Sequence, residues 1–185
     1  MNIQTLNRLA LVAANILMLS MLGCATAPKS TIATADPADV RTIPDLVRAS
    51  YEVINGPAGA SRQWDRDRTF YMPGATDVSV WEEAGQVRTK IMTPEAYRRD
   101  FRIDRAGFES EIGRRIERYG HIAQVRSVAV VRRSPDGPIE ERYVNYFQLY
   151  WDGARWWIAG MVWQKEGPST PIPEALIGKW EEVVR

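Results

Sequence analysis

Asn145-Tyr146-Phe147-Gln148-Leu149-Tyr150-Trp151-Asp152-Gly153-Ala154-Arg155-Trp156-Trp157-Ile158 reads as two β-strands folded back on each other. Aromatic and branched side chains, which suit a pleated, half-buried surface, fill both arms. Between them Asp152 can bond its own turn, and Gly153 tolerates a left-handed backbone. Working outward, the arms extend to Ile139–Trp151 and Arg155–Lys165, and a third β-rich segment, Ile122 to Arg133, precedes them across Ser134-Pro135-Asp136-Gly137-Pro138. Three long strands joined by such turns predict an antiparallel meander.

The residues before the meander alternate in type. Thr42-Ile43-Pro44-Asp45 opens a helix, with Thr42 as cap, proline in the first turn and Asp45 at the positive end of the dipole. Val47, Tyr51 and Ile54 continue it at helical spacing until Asn55-Gly56-Pro57. A second short helix is expected over Ser61 to Tyr71, then strands Asp77–Glu82 and Gln86–Met92, then a helix from Thr93-Pro94-Glu95 to about Arg102 with Tyr97 and Phe101 one turn apart. Phe108, Ile112 and Ile116 fit a helical stripe, but the turn Tyr119-Gly120-His121 makes this segment one arm of a hairpin, read as strand from about Gly113. A final short helix, Pro173 to Trp180, is expected to pack on the sheet. Helices and antiparallel strands in this order give an α+β domain.

Arg8 is followed by an apolar run, Leu9 to Leu22, interrupted by Asn15 and Ser20. It falls short of the roughly 20 residues a spanning helix needs, and suits a secretory signal. Met21-Leu22-Gly23-Cys24 resembles the lipobox of bacterial lipoproteins, with Met21 where leucine is usual. The resemblance implies a signal peptide over 1–23, cleavage between Gly23 and Cys24, lipid on Cys24, and anchorage in a membrane of the cell envelope. Ala25 in place of aspartate implies the outer membrane, facing the periplasm, in a host with two membranes. Cys24 is the only cysteine, so no internal disulfide is available. Residues 24–42, rich in Ala, Thr, Pro and Ser, read as a flexible tether with a reach of roughly 20–25 Å, and 43–185 as a single domain.

Removing 1–23 takes away one charge, Arg8, and leaves 23 basic and 23 acidic side chains. A neutral chain with no basic cluster excludes nucleic acid as the expected partner.

Over residues 43 to 166 the sequence is similar to the nuclear transport factor 2-like superfamily, including its SnoaL-like members. The resemblance rests on Trp64 to Tyr71 leading into Pro73-Gly74-Ala75, on Thr93-Pro94-Glu95-Ala96-Tyr97, on Asn145 to Leu149, and on the turn followed by Trp156-Trp157. It implies a cone: a curved antiparallel sheet wrapped around N-terminal helices, with an internal pocket and frequent dimerisation through the sheet. Functions on this fold run from isomerisation and cyclisation to plain ligand binding, so function must be argued from the site.

An isomerase-like site needs a carboxylate base beside an apolar pocket and an oxyanion stabiliser. Ser79 lies nearest the expected base position and Asp77 is two residues away; Asp77 and Asp65 are the candidate carboxylates, each with a solvated reading beside it. His121, the only histidine, falls in a turn, so neither a triad nor a histidine metal site is expected, and no cofactor is implied. Polar residues within apolar strands are candidates for lining a pocket: Arg126 beside Gln124, and Asn145 and Gln148 on opposite faces of their strand. Tyr97 and Trp163 complete the candidate ligand-binding set. Strict alternation separates Trp151, Trp157 and Trp163 from Trp156. The leading expectation is a lipid-anchored binding or accessory module of the envelope, whose cone holds a small apolar molecule or whose sheet pairs with itself or a partner. An isomerase- or cyclase-like enzyme and a purely structural lipoprotein are the alternatives.

Overall fold

The computed structural model describes residues 34–184; Gly23, Cys24 and the signal segment lie outside them. The described chain runs α1 (Pro37–Val40), α2 (Ile43–Glu52), α3 (Trp64–Arg68), β1 (Tyr71–Glu83), β2 (Gln86–Met92), α4 (Pro94–Asp100), β3 (Phe108–Tyr119), β4 (Ile122–Arg132), β5 (Glu141–Trp151), β6 (Trp156–Lys165) and β7 (Trp180–Val184). It is an α+β domain. The helices begin where capping chemistry places them: the side chains of Asp36, Thr42 and Thr93 accept from the backbone amides of Ala38, Asp45 and Ala96, and proline follows each cap within two positions.

The strands form one sheet in the order β2-β1-β6-β5-β4-β3-β7. The meander β3-β4-β5-β6 is antiparallel, but the expected all-antiparallel sheet is corrected at two places. β1 runs parallel to β6, and β7 runs parallel to β3. The predicted C-terminal helix is the second correction: only Glu174–Leu176 makes a short 3-10 turn, because Pro171 and Pro173 remove donors and Gly178 takes a left-handed backbone at φ 67°. Trp180-Glu181-Glu182-Val183-Val184 then extends along β3 as a strand. The connection from β6 must cross β5 and β4 to reach that edge; the Leu176 carbonyl passes over Gly113, the partner of Val128, and Val128 and Val130 on this outer face are buried.

Three further expectations change. β3 is a strand from Phe108, not from Gly113; one extra residue between Glu111 and Gly113 breaks its alternation, so its apolar positions imitate a helical stripe. The segment assigned to a tether is ordered in its last third: Ala35, Asp39 and Val40 are buried, and Asp39 pairs with Arg66 at 2.7 Å. On β6 an irregularity between Gly160 and Ile158 shifts the phase, so Ile158, Met161 and Trp163 share the inward face although their numbers alternate in parity. Trp163 therefore joins Trp156 on that face, and Trp151, directly opposite Trp156, packs on it at 5.7 Å.

The core lies between α2 and the inward face of β3 to β6. Leu46, Val47 and Val53 meet Ile116, Val125, Phe147, Leu149, Trp156 and Ile158, all buried. Each fully buried side chain of this kind contributes about 1.5–3 kcal/mol. Gly113 is required by the crossover: a Cβ there would lie 2.4 Å from the Leu176 carbonyl oxygen. Gly113→Ala is expected to cost about 1–3 kcal/mol through overpacking, read as a lower urea midpoint at unchanged slope; an unchanged midpoint would show that the crossover does not press on β3.

Candidate functional site

The helices do not fill the space over the sheet. Between α2, α3, α4, the loop after α4 and the inward rows of β1 to β6 lies a cavity of about 510 Å³, within the usual range for small-molecule sites. Its lining draws on every strand from β1 to β6, so the sheet curves around it.

The aromatic part of the wall comes from α4 and β6. Tyr97 and Phe101, one helical turn apart, meet edge-to-face at 5.4 Å, and Tyr97 meets Trp163 at 5.8 Å. Trp64 of α3 braces this group from behind, 5.2 Å from Phe101. Tyr51, Phe147 and Met161 extend the wall toward the core. The Tyr51 hydroxyl accepts from Asn145 Nδ2 at 2.7 Å and lies 2.7 Å from the Ser127 hydroxyl. This buried network fixes the Asn145 amide in one orientation. Among the described residues no hydrogen bond reaches the hydroxyls of Tyr71 or Tyr97, and burial pushes both well above the ordinary phenol range.

The carboxylates fall into two sets. Asp67 of α3 lies 2.6 Å from Arg98 of α4, a pair with side chains only 6% and 5% exposed. Arg98 also reaches Glu95 and lies over the Tyr71 ring at 5.5 Å. Burial nevertheless outweighs Arg98 and raises the Asp67 carboxyl. Asp77 of β1 lies next to this pair, 1% exposed, with neither carboxylate oxygen in a hydrogen bond of good geometry. Burial first, then the Asp67 charge, push it to about 7 against the opposing pull of Arg98 and the nearby Met161 amide. On the opposite side, Glu109 of β3 is pushed to about 7 by burial and by Glu141. Burial opposes ionisation of Glu141 as well, but Lys165 and the Tyr143 hydroxyl hold it below the ordinary range.

The sequence-derived candidates separate accordingly. Tyr97, Asn145 and Trp163 come together on the cavity wall, and Asp77 lies on the same inward face of β1, beneath the lining. Arg126 and Gln148 do not join them. They lie on the outer rows of β4 and β5, opposite Tyr146 and Gln124, because Val125, Ser127, Phe147 and Leu149 take the inward positions. Gln148 and Gln124 line a separate outer hollow of about 480 Å³. Asp65 is also excluded from the cavity: its side chain is 97% exposed and paired with Arg68. His121 is exposed in the β3–β4 turn. Sequence reading does not single out Glu109. Asp65 and Asp67, alternating with Arg66 and Arg68, fit either a pocket face or a solvated one; Asp67 is the buried member, through Arg98, 31 residues away.

No family model matches the sequence, and no curated protein matches it. Among solved structures, similarity is found to proteins described as NTF2-like and of unknown function. One from Shewanella baltica OS155 has 13% identity and a TM-score of 0.43, covering 68% of this chain and 98% of that one. One from Silicibacter pomeroyi DSS-3 has 14% identity and a TM-score of 0.41, covering 68% and 94%. One from Methylobacillus flagellatus KT has 10% identity and a TM-score of 0.41, covering 68% and 95%. The present geometry is by itself that of an α+β domain whose curved seven-stranded sheet encloses a cavity under its N-terminal helices.

Proposed function

We propose that the protein is a lipid-anchored component of the cell envelope whose domain takes up a small, largely apolar molecule bearing hydrogen-bonding groups. The cavity of about 510 Å³ carries this reading. Tyr97, Phe101 and Trp163 give it apolar wall, and the unbonded Tyr71 and Tyr97 hydroxyls give it polar points of contact. A ligand-sized cavity argues against a purely structural domain, whose interior would be filled.

Anchorage is read from Leu22-Gly23-Cys24, with Ala25 favouring the outer membrane. Cys24→Ala is expected to leave an unprocessed precursor without acyl mass; processing and membrane retention that persist unchanged would refute the anchor. Native mass spectrometry of the processed protein extracted from envelopes tests the cavity. A recurrent co-purifying small molecule is expected, and protein that is empty in every preparation would refute binding. The outer sheet face, where Tyr146 is 41% and Val162 44% exposed, is read as the surface on which a second copy pairs, and the same spectra would then show a doubled mass.

One observation favours a second reading, an isomerase- or cyclase-like enzyme. Asp77 is a partnerless buried carboxyl pushed to about 7, which suits proton transfer at neutral pH. Its place beneath the lining, not on it, puts the binding reading first.

A further inference from the structure

The charged groups on the cavity lining differ in whether they have a partner. Of the cations on the lining, Arg62 is buried and donates to the carbonyls of Gly56, Pro57 and Ala60, so its guanidinium is held by the loop it straps. Lys90 pairs with Asp100 at 3.1 Å, Arg102 with Asp104 at 2.6 Å and Arg133 with Glu140 at 2.6 Å. Arg105 is exposed, and its field reaches Glu141 and Tyr143.

The carboxylates end differently. Asp67 has Arg98, Asp100 has Lys90, and Glu141 has Lys165 at 2.7 Å. Glu109 forms no ion pair or side-chain hydrogen bond among the described residues, although it lies on the lining. Its backbone amide and carbonyl are clamped by Asn55 at 2.6 and 2.9 Å, so the strand holds its side chain toward the cavity face. Independently, Asp77 on the same inward face is 1% exposed with both oxygens unpartnered. Asp77 has Arg98 near it, whereas the half-buried Glu109 has no ion pair, and a partly enclosed carboxylate is stabilised by a cation seated beside it. Tyr97 and Tyr143 stand close enough to Glu109 for its charge to be felt at both rings, and aromatic faces also attract cations.

We propose that the cavity's ligand is an organic cation, an apolar body carrying an ammonium group that seats beside Glu109 and against the aromatic wall of Tyr97 and Tyr143. The inference rests on the small-molecule reading above and adds the charge of the ligand to it. A neutral molecule would leave Glu109 without an ion pair, and an anion seated beside it would be repelled.

Three probes on the processed full-length protein decide it: benzyltrimethylammonium, its neutral carbon isostere neopentylbenzene, and the anion 3-phenylpropanoate, followed by saturation-transfer NMR and calorimetry. The ammonium probe is expected to bind at least about tenfold tighter than the neutral isostere, since a desolvated cation–carboxylate and cation–π contact together exceed the 1.4 kcal/mol that tenfold represents. In Glu109→Gln the preference should shrink to about onefold to threefold. The native-protein series stands even if that variant fails to fold. Equal or tighter binding of the neutral or anionic probe, or a preference that survives in a folded Glu109→Gln protein, would overturn the inference while leaving the cavity a binding site. Failure of all three probes to bind would count against both.

Discussion

Arg98→Met is expected to cost the domain about 3–5 kcal/mol, the usual range for leaving one partner of a buried ion pair behind. Arg98 is the only cation in contact with Asp67 among the described residues, and both side chains are almost fully enclosed. It also lies over Tyr71 and opposes the rise of the Asp77 carboxyl. Methionine keeps much of the volume and removes the charge, so Asp67 would be left enclosed and uncompensated beside Asp77. For a domain of this size the midpoint of thermal unfolding should fall by on the order of 10 °C. The double variant Arg98→Met/Asp67→Leu removes the stranded charge and should recover most of the loss. Differential scanning calorimetry of the set is the check. If the single variant melts within a degree or two of the parent, the pair does not hold α3 to α4.

The second large effect is a pH dependence written into Asp77. Its carboxyl is raised from 3.8 to about 7 in the folded protein, mainly by burial. Between those values the folded chain keeps a proton that the unfolded chain has released, so stability falls as pH rises through that window. The penalty is complete above about 7 and absent below about 4. That interval corresponds to about 4 kcal/mol, and water reaching the ionised form reduces the expected figure to about 2–4 kcal/mol. Asp77→Asn cannot ionise, so its stability relative to the parent should rise by that amount between pH 4 and pH 8. The amide's own unmet bonds cost about 1–3 kcal/mol at every pH and cancel in that comparison. Urea unfolding of both proteins across this range measures it. A constant difference would mean that Asp77 does not carry a buried charge at neutral pH.

How far the sequence revealed this arrangement depends on the range of the interactions. The meander was legible because its turns are local: Asp152 Oδ1 accepts from the amides of Ala154 and Arg155, and Gly153 sits at φ 100°. The helix starts were legible for the same reason. Two single-residue irregularities, near Ile112 and near Ala159, were not, since an extra residue leaves no mark in composition yet inverts every later side chain. The second of them decides that Trp163 faces the cavity. Asp77 was named from its position, but its isolation comes from chains folded over it from α3, α4 and β6. Arg126 and Gln148 looked like pocket residues because polar groups inside apolar strands draw attention; the outer face of this sheet mixes such groups with apolar ones, Val128 and Val130 being buried there.

The parallel seams of the sheet bear on how the chain reaches this state. β1 closes on β6, with Asp77 beside Met161, and β3 takes β7 as its outer neighbour, with Arg114 beside Trp180. Each seam joins strands far apart in the chain, so loop-closure entropy must be met before either contributes, and folding is slow relative to a helical protein of equal size. α1, α2 and β1 cannot complete a core on their own: the Phe70 carbonyl accepts from the Ile158 amide, and Trp156 and Ile158 supply the opposing packing. A chain that emerges from the N-terminus onward therefore stays open, and keeps its cavity unformed, until β6 has arrived.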